Sequence, residues 1–329
     1  MSTPLCRDLG VRLPIWNAGM GVGIAGPELA SAVSNAGGLG VLGMGALPEP
    51  LIRAEITRTR ELTDQPFGVN IIMPLVEDEG QILCSLDEGV AVLVLFWGDP
   101  APYVERARAA GTRLVAQVGS VEQARQAADA GVDAVMIQGV EAGGHVRATT
   151  SLSVVLPAVV DAVEDVRPGL PVIAAGGIAD ARGVAAALTL GAQAVSLGTR
   201  FLCSDEANVV YKDRVVAASA EDTYFTTLFD VGWPDANHRV LRNDAVRDWE
   251  AAGRPAPGER PGEGSTIGTM PVGGQVIEVP AYAVYPAMRG FSGDLERTAL
   301  YCGESCTLVN DIRPAADIVA ELARGVPAA

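Results

Sequence analysis

The chain has 329 residues, a formal net charge of −16 at pH 7 and a mean hydropathy of +0.25. This length suffices for one large α/β domain or two smaller ones. The strong acidity argues against nucleic acid and anionic membrane surfaces, both of which attract clustered Lys and Arg. No apolar run reaches the length of a membrane span, and MSTPLCRDLG lacks the basic and apolar regions of a signal peptide.

The cysteines and histidines predict a reducing compartment and no metal site. Five cysteines, odd in number and mostly scattered along a long chain, indicate free thiols and a cytoplasmic location. Two separated histidines and the lack of a Cys-x-x-Cys pair supply no obvious set of metal ligands.

Short repeated units run through the first two thirds of the chain. In each unit a helix-like segment such as SVEQARQAADAG ends at a glycine suited to the left-handed conformation, and a continuous apolar run follows. Continuous runs are typical of strands buried on both faces of a parallel sheet. The five helix-ending glycines are Gly37, Gly89, Gly111, Gly131 and Gly191.

Eight such strands are predicted. They are Pro14–Met20, Leu39–Met44, Phe67–Ile72, Ala91–Gly98, Arg113–Gly119, Ala134–Gly139, Pro171–Gly177 and Ala194–Phe201. Their alternation with helices predicts an α/β fold, a closed (β/α)8 TIM barrel within residues 1–203. A doubly wound open sheet is the alternative.

The composition of the sequence changes after the last predicted strand. Residues 204–290 contain the proline- and glycine-rich stretch AAGRPAPGERPGEGSTIG, and we predict a mainly helical insertion, looped in its later part, that covers the active site. Residues 291–329 are predicted to return to the barrel. Within them DIRPAADIVAELARG predicts a closing helix, with Asp311 near its start and Gly325 behind it.

Two kinds of glycine loop are candidates for ligand binding. GVGIAG, Gly21 to Gly26, matches the dinucleotide pattern G-x-G-x-x-G, but no acidic residue ends the next strand, so it is either a turn that approaches a ligand or a simple loop. A stronger pattern is the pair Gly176–Gly177 and Gly198–Thr199, which end the seventh and eighth predicted strands. Loops at these places in a barrel often hold a phosphate through backbone N–H groups.

The stretch MIQGVEAGGHVR places His145 behind Gly143 and Gly144, a few residues after a predicted strand. Imidazole titrates near neutrality, and the carboxyl ends of barrel strands carry catalytic groups. We therefore predict that His145 is catalytic, with a structural loop histidine as the alternative. The other histidine, His238, is predicted to lie at the surface or at an interface.

Six motifs occur in an order that resembles a known family: PIWNAGMG, NAGGLGVLG, PFGVNI, QGVEAGGH, AAGGIAD and LGTRF. They look like those of the FMN-dependent nitronate monooxygenases, and the flavin-type enoyl-ACP reductases of bacteria share most of them. The resemblance covers nearly the whole chain and implies an enzyme that oxidises nitronates with O2 to a carbonyl compound and nitrite. The partners implied are a small-molecule substrate and O2, with a homodimer as a possible assembly.

The resemblance also implies roles for individual residues. Backbone near the end of the first strand would approach the isoalloxazine ring, polar side chains would bind flavin atoms, Gly143 would pack close to the flavin, and the paired loops would hold the phosphate. His145 would act as a base on a nitroalkane or orient a nitronate. The implied FMN-binding residues are Ala18, Gly19, Met20, Asn70, Gln117, Gln138, Gly143, Gly176, Gly177, Gly198 and Thr199.

The chain departs from the family pattern at two places. Asn17 replaces a glutamine near the flavin, and CGESCTLV places the Glu304 carboxylate where an amide is usual. Cys306 is interpreted as an ordinary thiol, and Glu141 either orders the histidine loop or is solvated. Two other functions stay open: an FMN reductase that uses NAD(P)H on an enone, quinone or enoyl thioester, and a flavin-free barrel that binds a phosphorylated metabolite.

Overall fold

The computed structural model describes residues 3–21, 23–45 and 47–327, and in these residues eight parallel strands form one sheet. All eight predicted strands are present, and the differences lie at their ends. From the first to the eighth the strands are Ile15–Asn17, Gly40–Gly45, Phe67–Ile72, Val92–Phe96, Arg113–Val118, Ala134–Gln138, Val172–Ala175 and Ala194–Leu197. From the second to the eighth each pairs with the next, and the eighth pairs with the first.

The sheet closes between the first and second strands, so the TIM barrel is confirmed and the open sheet is excluded. A parallel bridge joins Trp16 to Leu39, and the Leu39 N–H donates to the Ile15 carbonyl at 3.0 Å. Asn17, with no exposed surface, adds side-chain bonds: its Nδ2 donates to the Val41 carbonyl at 2.8 Å, and its Oδ1 accepts from the Val41 N–H at 2.9 Å. A side-chain amide thus reinforces the seam of the barrel.

Side chains alternate between the inside and the outside of the barrel, as the two-residue period of a strand requires. In the fourth strand, Val92 and Val94 belong to the cluster inside the barrel, whereas Leu93 and Leu95 pack against the surrounding helices. The helix Pro4–Leu9 packs on the inner cluster through its buried apolar residues. Both faces of each strand are therefore apolar, which explains the continuous runs in the sequence.

The helices form where the repeated units predict them. All five predicted left-handed glycines have positive φ, between 62° and 101°. Ser120 caps the helix Val121–Ala130 by accepting from the Gln123 N–H at 3.3 Å. The other α-helices are Pro27–Asn35, Glu49–Leu62, Gly80–Asp87, Val104–Ala110, Leu152–Val166, Ala181–Thr189, Thr199–Leu202, Lys212–Val216, Asp244–Ala251 and Ala315–Leu322.

The insertion after the eighth strand differs from the predicted mainly helical segment. It contains two short helices and more strand: Thr223–Thr226 pairs with His238–Leu241, and Thr266–Val272 pairs with Gln275–Pro280. The last two strands form a hairpin across Gly273 and Gly274, whose positive φ angles suit a tight turn between β-branched residues. The glycine turn and the β-branched residues of this segment favour strands, so the prediction of a mainly helical insertion is wrong.

The closing helix is present but begins later than predicted. It spans Ala315–Leu322 behind Pro314, and the short 3-10 turn Ala323–Gly325 follows it. Its apolar residues Ile318, Val319 and Leu322 belong to the same core as the outer faces of the strands. The segment thus packs back onto the barrel. No helix in the described ranges is long and apolar enough to cross a membrane.

Candidate active site

A cavity of about 700 Å³ opens at the carboxyl end of the barrel strands. Its size lies in the range usual for cofactor and ligand sites. All the residues predicted to be functional line it, which brings together groups from the whole barrel. They are Ala18, Gly19, Met20, Asn70, Gln117, Gln138, Gly143, His145, Gly176, Gly177, Gly198 and Thr199.

The paired glycine loops lie side by side on this cavity, because the seventh and eighth strands are neighbours. Gly176 and Gly177 have φ angles of 96° and 70°, which side-chain-bearing residues rarely adopt. Within the described ranges the N–H groups of Gly177 and Thr199 have no hydrogen-bond acceptor. These free donors, next to open space at Gly198, are what an anion such as a phosphate requires.

The loop that follows the first strand packs against Asn70. A Cβ at Gly19 would lie 2.2 Å from the Asn70 Cβ, so only glycine fits at this position. Asn70 is 4% exposed, and its Nδ2 donates to the Val94 carbonyl at 3.3 Å. Gln117 ends the fifth strand in the same cavity and stays partly exposed. Gly21 of the GVGIAG turn also lines the cavity, whereas Val22 lies outside the described residues.

Gln138 holds the backbone of the histidine loop. Its Nε2 donates to the His145 carbonyl and its Oε1 accepts from the Arg147 N–H, both at 3.0 Å. The sequence indicated only contacts with a ligand for this amide. The structure adds that Gln138 fixes the loop backbone at His145 and at Arg147, on either side of Val146.

Gly143 is required by a close contact within the protein. A Cβ on it would lie 2.3 Å from the backbone nitrogen of Gly303, which in turn donates to the Thr199 Oγ1 at 3.0 Å. Three segments therefore meet at Gly303: the loop that carries His145, the glycine loop Gly198–Thr199 and the segment CGESC. Gly144, with φ of 72°, then turns the chain toward His145.

His145 is enclosed by aromatic rings. Its imidazole stacks on Trp233, with centroids 4.2 Å apart and planes 24° apart, and lies 5.5 Å from the Tyr301 ring. Burial, with a smaller contribution from His238, lowers the pKa of His145 to about 3. Its Nε2 is buried without a hydrogen-bond partner within the described residues. Such an atom is uncommon in native proteins, so its lack of a partner needs an explanation.

His238 is not at the surface, as its sequence context indicated, but fully buried beside His145. The strand His238–Leu241 pairs with Gly144–His145, so the two histidines face each other across the ladder. The Phe229 N–H donates to the His238 Nε2 at 3.3 Å, and Nδ1 lies 2.9 Å from the Ala236 carbonyl. Nδ1 therefore carries the proton, and burial lowers the pKa of His238 to about 4.

Two departures from the family pattern have structural explanations. Asn17 does not line the cavity, because its amide is bonded across the barrel seam. Glu304 does not line it either: its Oε1 lies 3.0 Å from a guanidinium nitrogen of Arg239, a residue only 7% exposed. This carboxylate neutralises a buried cation and does not enter the cavity.

The remaining predicted groups also serve the packing of the loops. Both carboxylate oxygens of Glu141 accept from the Leu152 N–H at 3.0 Å, at the start of the helix Leu152–Val166, so Glu141 orders the segment behind the histidine. Cys306 is buried, and a hydrogen bond with the Cys302 thiol lowers its pKa. Within the described ranges no group of His, Cys, Asp or Glu could hold a metal ion.

The sequence predicted that the insertion covers the site but did not identify which of its residues do so. Trp233 stacks on the histidine, and Val272 and Ile277 of the hairpin line the cavity. The motif VGWPDANHRV contains both Trp233 and His238, and a buried aromatic residue next to one of only two histidines was the available indication.

Three comparisons place the chain among known proteins. A family model described as nitronate monooxygenase matches residues 2–81 and 75–325. The (3aS,4S,5R,7aS)-5-hydroxy-7a-methyl-1-oxo-octahydro-1H-indene-4-carboxyl-CoA dehydrogenase of Mycobacterium tuberculosis is 38% identical over 256 residues, covering 77% of this chain and 70% of that protein.

Among solved structures, FabK from Thermotoga maritima has a TM-score of 0.82 at 33% identity, covering 98% of this chain and 95% of that one. A nitroalkane oxidase from Streptomyces ansochromogenes has a TM-score of 0.75 at 29% identity and covers 98% of both chains.

These relatives identify the chain as a flavin-dependent oxidoreductase, and the closed barrel, the paired glycine loops and the partly buried histidine are consistent with that class. The chain belongs to the nitronate monooxygenase family, which is related to the enoyl-ACP reductases.

Proposed function

We propose that this protein binds FMN at the carboxyl end of the barrel and oxidises alkyl nitronates with O2. In this reaction the carbon–nitrogen bond breaks, the carbon gains one oxygen atom from O2 as a carbonyl group, and nitrogen leaves as nitrite, so that two nitronates consume one O2. The observation that carries the proposal is that His145, whose ring makes no hydrogen bond within the described residues, lines a cavity that also has free backbone donors in two glycine loops. The nitronate monooxygenase model and the nitroalkane oxidase structure support the same chemistry.

The residues of the cavity fit FMN. The free N–H groups of Gly177 and Thr199 suit its phosphate, and the close packing of Gly19 on Asn70 leaves a smooth wall for a planar ring. Asn70, Gln117 and Gln138 offer amide groups for the polar edge of the ring. FMN, when bound, would accept two electrons from the substrate and pass them to O2.

The state of His145 favours a nitronate over a neutral nitroalkane. With a pKa of about 3, the imidazole is neutral at pH 7 and is a weak base for removing a proton from carbon. A nitronate has already lost that proton. The neutral ring can instead donate a hydrogen bond from one ring nitrogen to a nitronate oxygen, while Gln138 keeps the loop in place.

Two experiments test the proposal. The purified protein should be yellow and release FMN, not FAD, on denaturation, and a colourless protein that fails to bind added FMN would exclude it. Aerobic turnover should then be measured on a panel of nitronates, enones and quinones. Formation of nitrite from nitronates is the expected result, and robust NAD(P)H-driven reduction without nitrite formation would favour the second candidate.

The second candidate is a flavin-dependent dehydrogenase or reductase that acts on a larger apolar substrate such as an acyl thioester. The Mycobacterium tuberculosis relative is named for such a thioester. Beyond the proposed flavin-binding residues, the cavity wall is mostly apolar and comes from loops after the second and third strands and from the insertion. Its members include Leu47, Ile72, Leu75, Val272, Ile277 and Val284.

A further inference from the structure

The imidazole of His145 makes no hydrogen bond within the described residues, yet it lies against three rings, those of Trp233, His238 and Tyr301. A histidine in an active site is usually oriented by a hydrogen bond from its second nitrogen to a carboxylate or a carbonyl group. His238 has such bonds on both nitrogens, whereas His145 has only ring contacts. Something other than a hydrogen bond therefore holds the ring of His145.

The closest of its ring contacts is the near-parallel stack on Trp233. That indole is 8% exposed and comes from the insertion, not from the barrel. Its other neighbour is Trp97, whose ring meets it edge-on with centroids 5.1 Å apart. His238 and Tyr301 approach the imidazole from other directions, at 5.4 and 5.5 Å.

Trp97 has an unusual backbone for a bulky residue. It follows the fourth strand with φ of 65°, in the left-handed region, where a residue with a large side chain is an outlier. Strained residues persist where the surrounding structure requires them, and they concentrate at functional sites. This conformation places the Trp97 ring between Phe96 and Trp233, while the Arg147 guanidinium lies 5.7 Å from its centre.

We propose that Trp233, supported by Trp97, is the positioning residue that orients the catalytic imidazole of His145 by stacking, in place of the usual hydrogen bond. The inference rests on the proposed function for the role of His145, but its geometric part does not. Stacking fixes the plane of a ring without fixing its tautomer. His145 is therefore free to place its proton on the nitrogen that meets the substrate.

The chain offers a direct readout, because it contains only two histidines. In protein labelled at histidine, NMR should show two imidazole spin systems, and His145→Gln assigns them. The informative variants are Trp233→Leu, which removes the stack, and Trp233→Phe, which keeps an aromatic ring. Trp249→Leu is the matched control, since that indole lies in the insertion but bonds to the Pro255 carbonyl and does not contact His145.

Trp233→Leu should shift and broaden the His145 signals and lower kcat on nitronates by a factor on the order of 10 to 100, with little change in KM. It should also let water reach the ring, so that the depressed pKa of His145 rises toward its usual value. The titratable groups facing His145 are His238 and Tyr301, and the nearest charged group along the stack is Arg147. Trp233→Phe should stay close to the wild type.

Unchanged His145 signals and kcat in Trp233→Leu would overturn the inference, as would equal losses in the Leu and Phe variants. If Trp233→Leu does not fold, Trp97→Leu decides: a smaller change in the same direction supports the stack, and none contradicts it. If the wild type oxidises no nitronate, the proposed function fails. The NMR comparison, made without substrate, still decides whether Trp233 orients His145.

Discussion

His145 and His238 are both buried as neutral groups, which couples folding to pH. Their pKa values in the folded protein are about 3 and about 4, below the usual value of 6.5. Between these values and 6.5 the unfolded chain binds more protons than the folded one, so the free energy of unfolding rises with pH through this window. The stabilisation is complete above pH 6.5 and is lost as the pH falls through the window.

Replacing His145 by glutamine, which does not titrate, should weaken this acid sensitivity. The free energy of unfolding from urea titrations should fall less between pH 7 and pH 4.5 in His145→Gln than in the wild type. Gln126→Ala, on the exposed side of its helix, is the control and should follow the wild type. Parallel losses in all three proteins would mean that His145 is not held neutral.

The proposed role of His145 gives a second prediction. In His145→Ala with FMN retained, kcat/KM on nitronates should fall by a factor on the order of 10² to 10³, because a positioned hydrogen-bond donor is removed. In the wild type, the pH profile between 5 and 8 should show no step from this histidine, whose pKa is about 3. A step near pH 6.5 that disappears in the variant would contradict a neutral imidazole.

The proposed phosphate-binding role of the paired glycine loops is best tested at Gly198. Its φ of −90° suits any residue, and a Cβ there would meet only Ala18, at 3.7 Å, so a side chain would extend into the cavity without straining the backbone. Gly198→Val should therefore fold normally but retain much less flavin, with Gly198→Ala between it and the wild type. Gly177 is a poorer choice, because its φ of 70° strains any replacement.

Flavin retention is read from the ratio of flavin to protein absorbance after desalting, with circular dichroism as the check on folding. Full flavin occupancy in Gly198→Val would place the phosphate elsewhere in the cavity.

The contact between the first and second strands depends on the Asn17 side chain as well as on backbone hydrogen bonds. Asn17→Ala leaves the N–H and the carbonyl of Val41 without their buried partner and should lower the free energy of unfolding by about 2–4 kcal/mol. Asn35→Ala, at an exposed asparagine that bonds to the Leu62 carbonyl, should lower it by about 1 kcal/mol or less. Urea denaturation measures both, and similar values would show that the seam does not need Asn17.

The elements that the sequence predicted well are those with a local cause. A strand and a helix can be predicted from a continuous apolar run, a helical pattern and a left-handed glycine without knowledge of the rest of the chain. The pairing of His238 with His145, the bond from Asn17 to Val41 and the stack of Trp233 on His145 join segments distant in sequence. Such contacts depend on tertiary packing, which one sequence does not reveal.

The cavity as a whole is assembled from the barrel, the insertion and the CGESC segment, so occupancy should stabilise the whole molecule. Free FMN at about 100 times its Kd should add about 2.7 kcal/mol to the free energy of unfolding and raise the Tm by several degrees. FAD, with its larger dinucleotide, should raise it less, and Gly198→Val should respond weakly to either. Equal shifts with FMN and FAD would contradict a site built for a mononucleotide.

The contact between Gly143 and Gly303 has a consequence for how the protein is made. The ribosome completes all eight strands and both glycine loops well before it reaches Gly303, whose N–H steadies Thr199 and whose backbone abuts the histidine loop. Until that segment emerges, the nascent chain has all eight strands but lacks part of the cavity wall and the closing helix Ala315–Leu322. We therefore expect flavin binding to come late in biosynthesis, and a translation product halted before Gly303 should not keep a flavin.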